Sequence, residues 1–141
     1  MKKAIIRGMR AARAFSRNTT AALDTPLSAA QIEILFTIAS DESPRKPSEL
    51  ADYMQESRPF ITKNVNVLID AGYIEKLANE YDRRSFTLQL TRSGAALTDG
   101  LLGQQYYAQM LKLSEEMGKK KFNKLIRLLD QANEILDEDV K

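Results

Sequence analysis

Between Ser57 and Thr91 the apolar period switches from that of a helix to that of a strand, and this switch constrains the fold more than any other feature. Ile61, Val65, Leu68 and Ile69 lie three and four apart and share one helical face. Ser57 can cap that helix, Pro59 is tolerated in its first turn, and Gly72 suits its end. Beyond it, Phe86, Leu88 and Leu90 alternate with Thr87, Gln89 and Thr91, the period-2 pattern of a half-buried strand. Tyr73, Ile74 and Leu77 predict a first strand, residues 78–84 a turn and residues 85–91 the return. The result is a short hairpin with an apolar stem and a charged tip at Asp82, Arg83 and Arg84.

Upstream, Ala4, Ile5, Gly8, Met9, Ala12 and Phe15 predict a helix over 1–23, with Arg7, Arg10, Arg13 and Arg17 on a different face. Thr25-Pro26 breaks it. Ser28 can cap a second helix at 29–40, striped by Ile32, Leu35, Phe36 and Ala39. A loop with two prolines is expected at 41–47, then a short helix from Ser48 to Met54, with Gln55-Glu56 joining it to the Ser57-capped helix. Downstream, residues 92–117 are helical by composition, although Gly100, Gly103 and Gly118 weaken continuity at ~1 kcal/mol for each interior glycine. A last helix at about 119–138 repeats Phe122, Leu125, Ile126, Leu129, Ala132 and Leu136. The expected fold is mainly α with a small β-hairpin.

Composition narrows the function. The chain of 141 residues holds no Cys and no His. That removes thiol chemistry, thiolate or imidazole metal sites and histidine-based acid–base catalysis. With no glycine-rich phosphate loop either, no catalytic set is recognisable, and neither a cofactor nor a metal is expected. A net charge of +2 says little, but its distribution says more. Residues 1–20 carry Lys2, Lys3, Arg7, Arg10, Arg13 and Arg17 with no acid, whereas Asp137, Glu138 and Asp139 lie near the end. The MKKAII start resembles a signal peptide, but Arg7, Arg10 and Arg13 interrupt the apolar run, and no window approaches a membrane span. A cytoplasmic protein is expected.

Helix, short turn, capped helix and hairpin, in that order, is the layout of a winged helix-turn-helix. The 48–54 helix braces the 57–72 helix, whose N-terminal turns can enter the major groove of double-stranded DNA. With Ile61, Val65 and Leu68 inward, Pro59, Lys63 and Asn66 face outward, flanked by Phe60 and Asn64. Arg and Lys can donate to guanine O6 and N7, and Phe or Pro can pack on a thymine methyl. Candidate base- and backbone-contacting residues are therefore Ser57, Arg58, Pro59, Phe60, Lys63 and Asn64. A hairpin beside that helix can place Arg83 or Arg84 in the minor groove, with Asp82 holding Arg84 in one pose.

The run PSELADYM…SRPFITKNVNVLIDAGYIEK…DRRSFTLQLTRSGAAL resembles the multiple-antibiotic-resistance-regulator (MarR) family of repressors. Its most specific piece is DRRS…L.LT.SG, where Leu88, Leu90, Thr91 and Gly94 match in spacing. The resemblance implies a homodimer interlocked by the terminal helices, and an anionic or aromatic effector that loosens DNA. It sets Asp82 and Arg84 on the family's wing pair, and Ser57, Arg58 and Lys63 on recognition-helix positions. Val67 stands where a basic residue is common, and Phe60 is bulkier than the usual Ser or Thr, so base preference does not carry over. Lack of Cys separates the chain from the peroxide-sensing branch.

The expected division is a winged lobe at 24–96 and a helical dimerisation region from 1–23 and 97–141, with Leu125, Ile126, Leu129 and Leu136 at the dimer interface. The expected function is a homodimeric, sequence-specific regulator, a repressor, on a pseudo-palindromic operator. The effector is expected between the lobe and the dimer helices, at residues the sequence does not assign. The rival is a winged helix that docks proteins and not DNA. The Arg7–Arg17 ladder reads as a solvated or acid-paired face. Tyr106, Tyr107, Met110 and Met117 read as dimer or domain core.

Overall fold

A computed structural model describes residues 1–40, 46–82 and 84–140, with side chains to residue 138 at that end. The order is α1 (Lys2–Ala21), α2 (Ala29–Ser40), α3 (Pro47–Met54), α4 (Arg58–Asp70), β1 (Ile74–Ala78), β2 (Phe86–Leu90), α5 (Arg92–Thr98), a π-helical stretch (Asp99–Tyr106), α6 (Tyr107–Met117) and α7 (Lys119–Val140). Contacts divide the chain into two compact units, Met1–Gln105 and Tyr106–Lys141. No helix among the described residues is long and apolar enough to cross a membrane.

In the first unit, α2 begins with a reciprocal cap. Gln31 N–H donates to Ser28 Oγ at 3.2 Å, and Ser28 N–H donates to Gln31 Oε1 at 3.0 Å. Two otherwise orphaned donors are satisfied at once. Most of the expected 41–47 loop lies outside the described residues. Pro47, assigned to that loop from sequence, is instead the first residue of α3. It fits there because the first helical N–H has no intrahelical partner to lose.

α4 ends in a Schellman motif. Gly72 (φ +83°) donates its N–H to Ile69 O at 2.9 Å, and Tyr73 N–H donates to Leu68 O at 3.0 Å. The left-handed glycine turns the chain into β1, which pairs antiparallel with β2 in the register Ile74↔Leu90, Lys76↔Leu88, Ala78↔Phe86. One core gathers Ile34, Leu35 and Ile38 of α2, Leu50 and Ala51 of α3, Ile61, Val65 and Leu68 of α4, and Ile74 and Leu88 of the hairpin. Thr91 caps α5 by accepting Gly94 N–H at 3.0 Å, and its hydroxyl donates to Gly72 O. α4, hairpin and α5 thus meet at one threonine. By contrast, α1 buries only Thr19.

The sequence predicts one interrupted helix over 92–117. The interruption takes the form of a π-helical stretch, and both Gly100 and Gly103 lie in it. In the second unit α6 and α7 pack on each other, joined at Gly118 (φ +87°). Not one described side chain from 106 to 138 is fully buried. Leu111, Leu128, Leu129, Ile135 and Leu136 are all exposed.

Candidate nucleic-acid interface

The turn between α3 and α4 is Gln55-Glu56. Gln55 takes the left-handed conformation (φ 54°, ψ 44°), and Glu56 N–H returns to Ala51 O at 3.0 Å. Ser57 follows in extended backbone, and its hydroxyl accepts Phe60 N–H at 3.2 Å. That cap decides where α4 begins, and so places Arg58, Pro59 and Phe60 in its first turn.

The face that α4 leaves open carries Arg58, Pro59, Thr62, Lys63, Asn66 and Val67, all exposed, with Phe60 at its margin. The first turn holds no acid. Arg58 therefore adds to the partial positive charge of the helix N-terminus, and the end of α4 attracts anions. Five of the sequence candidates, Ser57, Arg58, Pro59, Phe60 and Lys63, are together at this end.

Asn64 is a correction. Expected on the exposed flank, it is buried, 7% accessible. Its Nδ2 donates to Phe60 O at 2.9 Å, and its Oδ1 accepts Gln31 Nε2 at 3.1 Å. A buried amide must find partners, and these two occupy it from opposite sides. The side chain joins α4 to α2 and presents nothing outward.

At the hairpin tip, Asp82 Oδ1 accepts Arg84 N–H at 3.0 Å and lies 3.6 Å from Arg84 Nε. The Arg84 side chain is 94% exposed. Asp82 thus fixes the backbone of the turn first and steadies the guanidinium second. Asn79 makes the preceding local turn by accepting Tyr81 N–H at 2.9 Å, and Tyr81 stands almost entirely in solvent. Arg83 lies outside the described residues. The stem is as the alternation predicts: Leu88 is fully buried, Phe86 and Leu90 half-buried against the core.

A cavity of about 430 Å³ opens among α3, α4 and the hairpin, lined by Pro47, Arg58, Thr62, Asn66, Lys76 and Phe86 among others. Lys76 Nζ sits 4.5 Å from the Phe86 ring centre, a cation–π contact. Sequence reasoning passed over Lys76. The signal was its parity: Lys76 falls on the same side of β1 as buried Ile74, although Lys76 itself is exposed.

A braced recognition helix, its capped N-terminus and a two-stranded hairpin define a winged helix-turn-helix protein. Residues 25–85 match the MarR family model. The fold agrees over nearly the full length with three solved structures. A MarR family transcription regulator is 20% identical, covering 97% of this chain and 93% of that one, with a TM-score of 0.79. Streptococcus pneumoniae FabT in complex with DNA is 21% identical over 100% of both chains, TM-score 0.75. A mutant of Escherichia coli MarR complexed with operator DNA is 23% identical, covering 94% and 97%, TM-score 0.74. Comparison with curated protein sequences gives no match. The chain has the winged helix-turn-helix fold of these solved structures, and its residues 25–85 are similar to the MarR family.

Proposed function

We propose that the chain is a sequence-specific DNA-binding transcription regulator, a homodimeric repressor that reads a pseudo-palindromic operator and is released by a small anionic effector. The observation that carries the reading is the pairing of an acid-free, capped α4 N-terminus with an exposed Arg84 on a braced turn. Each supplies cations to a polyanion, one at major-groove depth and one at the hairpin beside it. The solved complexes of FabT with DNA and of MarR with operator DNA support the same reading. In it Ser57, Arg58, Pro59, Phe60 and Lys63 meet bases and phosphates, and Arg84 meets the minor groove.

Dimerisation is supported by the second unit. A helical hairpin with no fully buried side chain among its described residues, yet with Leu128, Leu129, Ile135 and Leu136 exposed, has apolar surface to cover. Leu125, Ile126, Leu129 and Leu136 are the residues assigned to that contact. A twofold dimer would read half-sites about 34–36 Å apart. For the effector, the seat proposed is the cavity beside α4, inside the winged lobe and not at the junction with the dimer helices that the sequence suggested, and its charged groups are Arg58 and Lys76. An anion seated there would compete with DNA for Arg58, with a coupling of about 5–150-fold in operator affinity.

The test is enrichment of duplexes from a random pool, followed by gel shift of the selected sequence. Recovery of an inverted repeat supports the reading. A protein that shifts no duplex even at low salt, yet captures a protein partner, would establish a docking module.

A further inference from the structure

A line of four groups runs from the start of α2 to the first turn of α4. Ser28 N–H donates to Gln31 Oε1 at 3.0 Å, Gln31 Nε2 to Asn64 Oδ1 at 3.1 Å, and Asn64 Nδ2 to Phe60 O at 2.9 Å. Both ends are backbone, an N–H at one and a carbonyl at the other, so neither can reverse. The two amides between them must then point the same way. Flipping Asn64 would set its oxygen against Phe60 O, and flipping Gln31 would set its NH₂ against Ser28 N–H. The chain admits one orientation only.

The span is long in sequence. Gln31 and Asn64 are 33 residues apart. Asn64 is more than nine-tenths buried, so its amide has no water to fall back on. The apolar stripe of Ile61, Val65 and Leu68 fixes which side of α4 faces the core, but greasy contacts are non-directional and tolerate small rotations. The directional tie from α2 to α4 is the bond from Gln31 Nε2 to Asn64 Oδ1, and the bond from Asn64 Nδ2 to Phe60 O, within α4, holds the Asn64 amide toward it from the turn that carries Arg58, Pro59 and Phe60.

We propose that Gln31 and Asn64 are positioning residues for DNA reading: they lock the recognition helix to α2 and so fix where its first-turn side chains meet base edges. This rests on the DNA-binding reading above. Base discrimination needs bidentate geometry, whereas attraction to phosphates does not. Loosening the lock should therefore lower sequence discrimination and leave backbone attraction alone.

The decisive variant is Gln31→Glu. A glutamate still accepts Ser28 N–H, so the cap of α2 survives. It has no donor for Asn64 Oδ1, so the link to α4 is broken, and the uncharged Asn64→Leu controls for the negative charge it adds. Asn64→Leu removes the same link from the other side at similar volume. For wild type and both variants, melting temperature, affinity for the selected operator, affinity for random duplex and the salt slope of each are measured. Gln31→Glu should lose about 3–10-fold in operator affinity, the range for one neutral hydrogen bond, with random-duplex affinity and salt slope unchanged. Asn64→Leu should shift the operator-to-random ratio in the same direction. A merely structural role would lower the melting temperature and scale both affinities together, and that result would overturn the proposal. So would a Gln31→Glu protein that discriminates as well as wild type. A wild-type protein that prefers no sequence would overturn the DNA reading and this inference with it, a failure visible before any variant is made.

Discussion

A β-carbon at position 94 would lie 2.0 Å from the carbonyl oxygen of Tyr73. No side-chain adjustment relieves that overlap, because both sides of it are backbone. Tyr73 O also accepts Thr91 N–H at 3.1 Å, so the carbonyl cannot swing aside without releasing the base of the hairpin. Gly94 is thus required where α5 leaves the winged lobe.

Gly94→Ala should therefore destabilise the protein by at least about 2 kcal/mol, toward the upper end for overpacking. Urea denaturation of the two proteins checks it. Equal midpoints would mean that α5 shifts freely on the hairpin.

Much of this architecture was legible in the sequence because it is written locally. Ser28, Ser57 and Gly72 signal helix ends by chemistry that acts within a few residues, and Leu88 signals its burial by alternation. What escaped was non-local. Asn64 lies at the edge of the helical wheel, and its inward turn depends on Gln31 in another helix. Gly100 and Gly103 announced a weak helix but not its π-helical form. The role of Lys76 depends on the ring of Phe86 across the hairpin.

Asp82 and Arg84 should separate turn from charge. Arg84→Ala should keep the melting temperature, since the side chain is nearly all in solvent. It should weaken operator binding, most at A·T-rich flanks with narrow minor grooves. Asp82→Asn keeps an acceptor for Arg84 N–H and should behave close to wild type. Asp82→Ala loses the turn bond and should fall between the two. Affinities on operators with altered flanks decide this, and an Arg84→Ala protein with undiminished affinity would reduce the arginine to a solvated tip.

Gln55 is the one non-glycine with positive φ among the described residues. Gln55→Gly relieves a β-carbon in the left-handed region but frees the unfolded chain, so the net gain should be small, about 0.5–1 kcal/mol. Thermal melting checks it. A clear loss would show that the Gln55 side chain itself holds the turn.

Glu33 on α2 has its carboxyl pushed above the ordinary value, first by burial and second by the Glu56 carboxylate. The folded state therefore holds that proton more tightly than the unfolded state. The contribution is absent below the unfolded value of 4.5 and grows into a penalty as pH rises through the raised folded value. Glu33→Gln should be more stable than wild type at neutral pH, with the difference vanishing in acid. Denaturation midpoints across pH 4–8 check it, and a difference that widens in acid would reverse the sign of the argument.

The most direct measurement is the salt dependence of operator affinity for the full-length protein. If the α4 end and the hairpin tip of two protomers engage about 6–10 phosphates, affinity should fall by about 10³–10⁵ between 50 and 200 mM salt while preference for the selected inverted repeat persists. A shallow slope, or binding indifferent to sequence across that range, would contradict a DNA-reading winged helix.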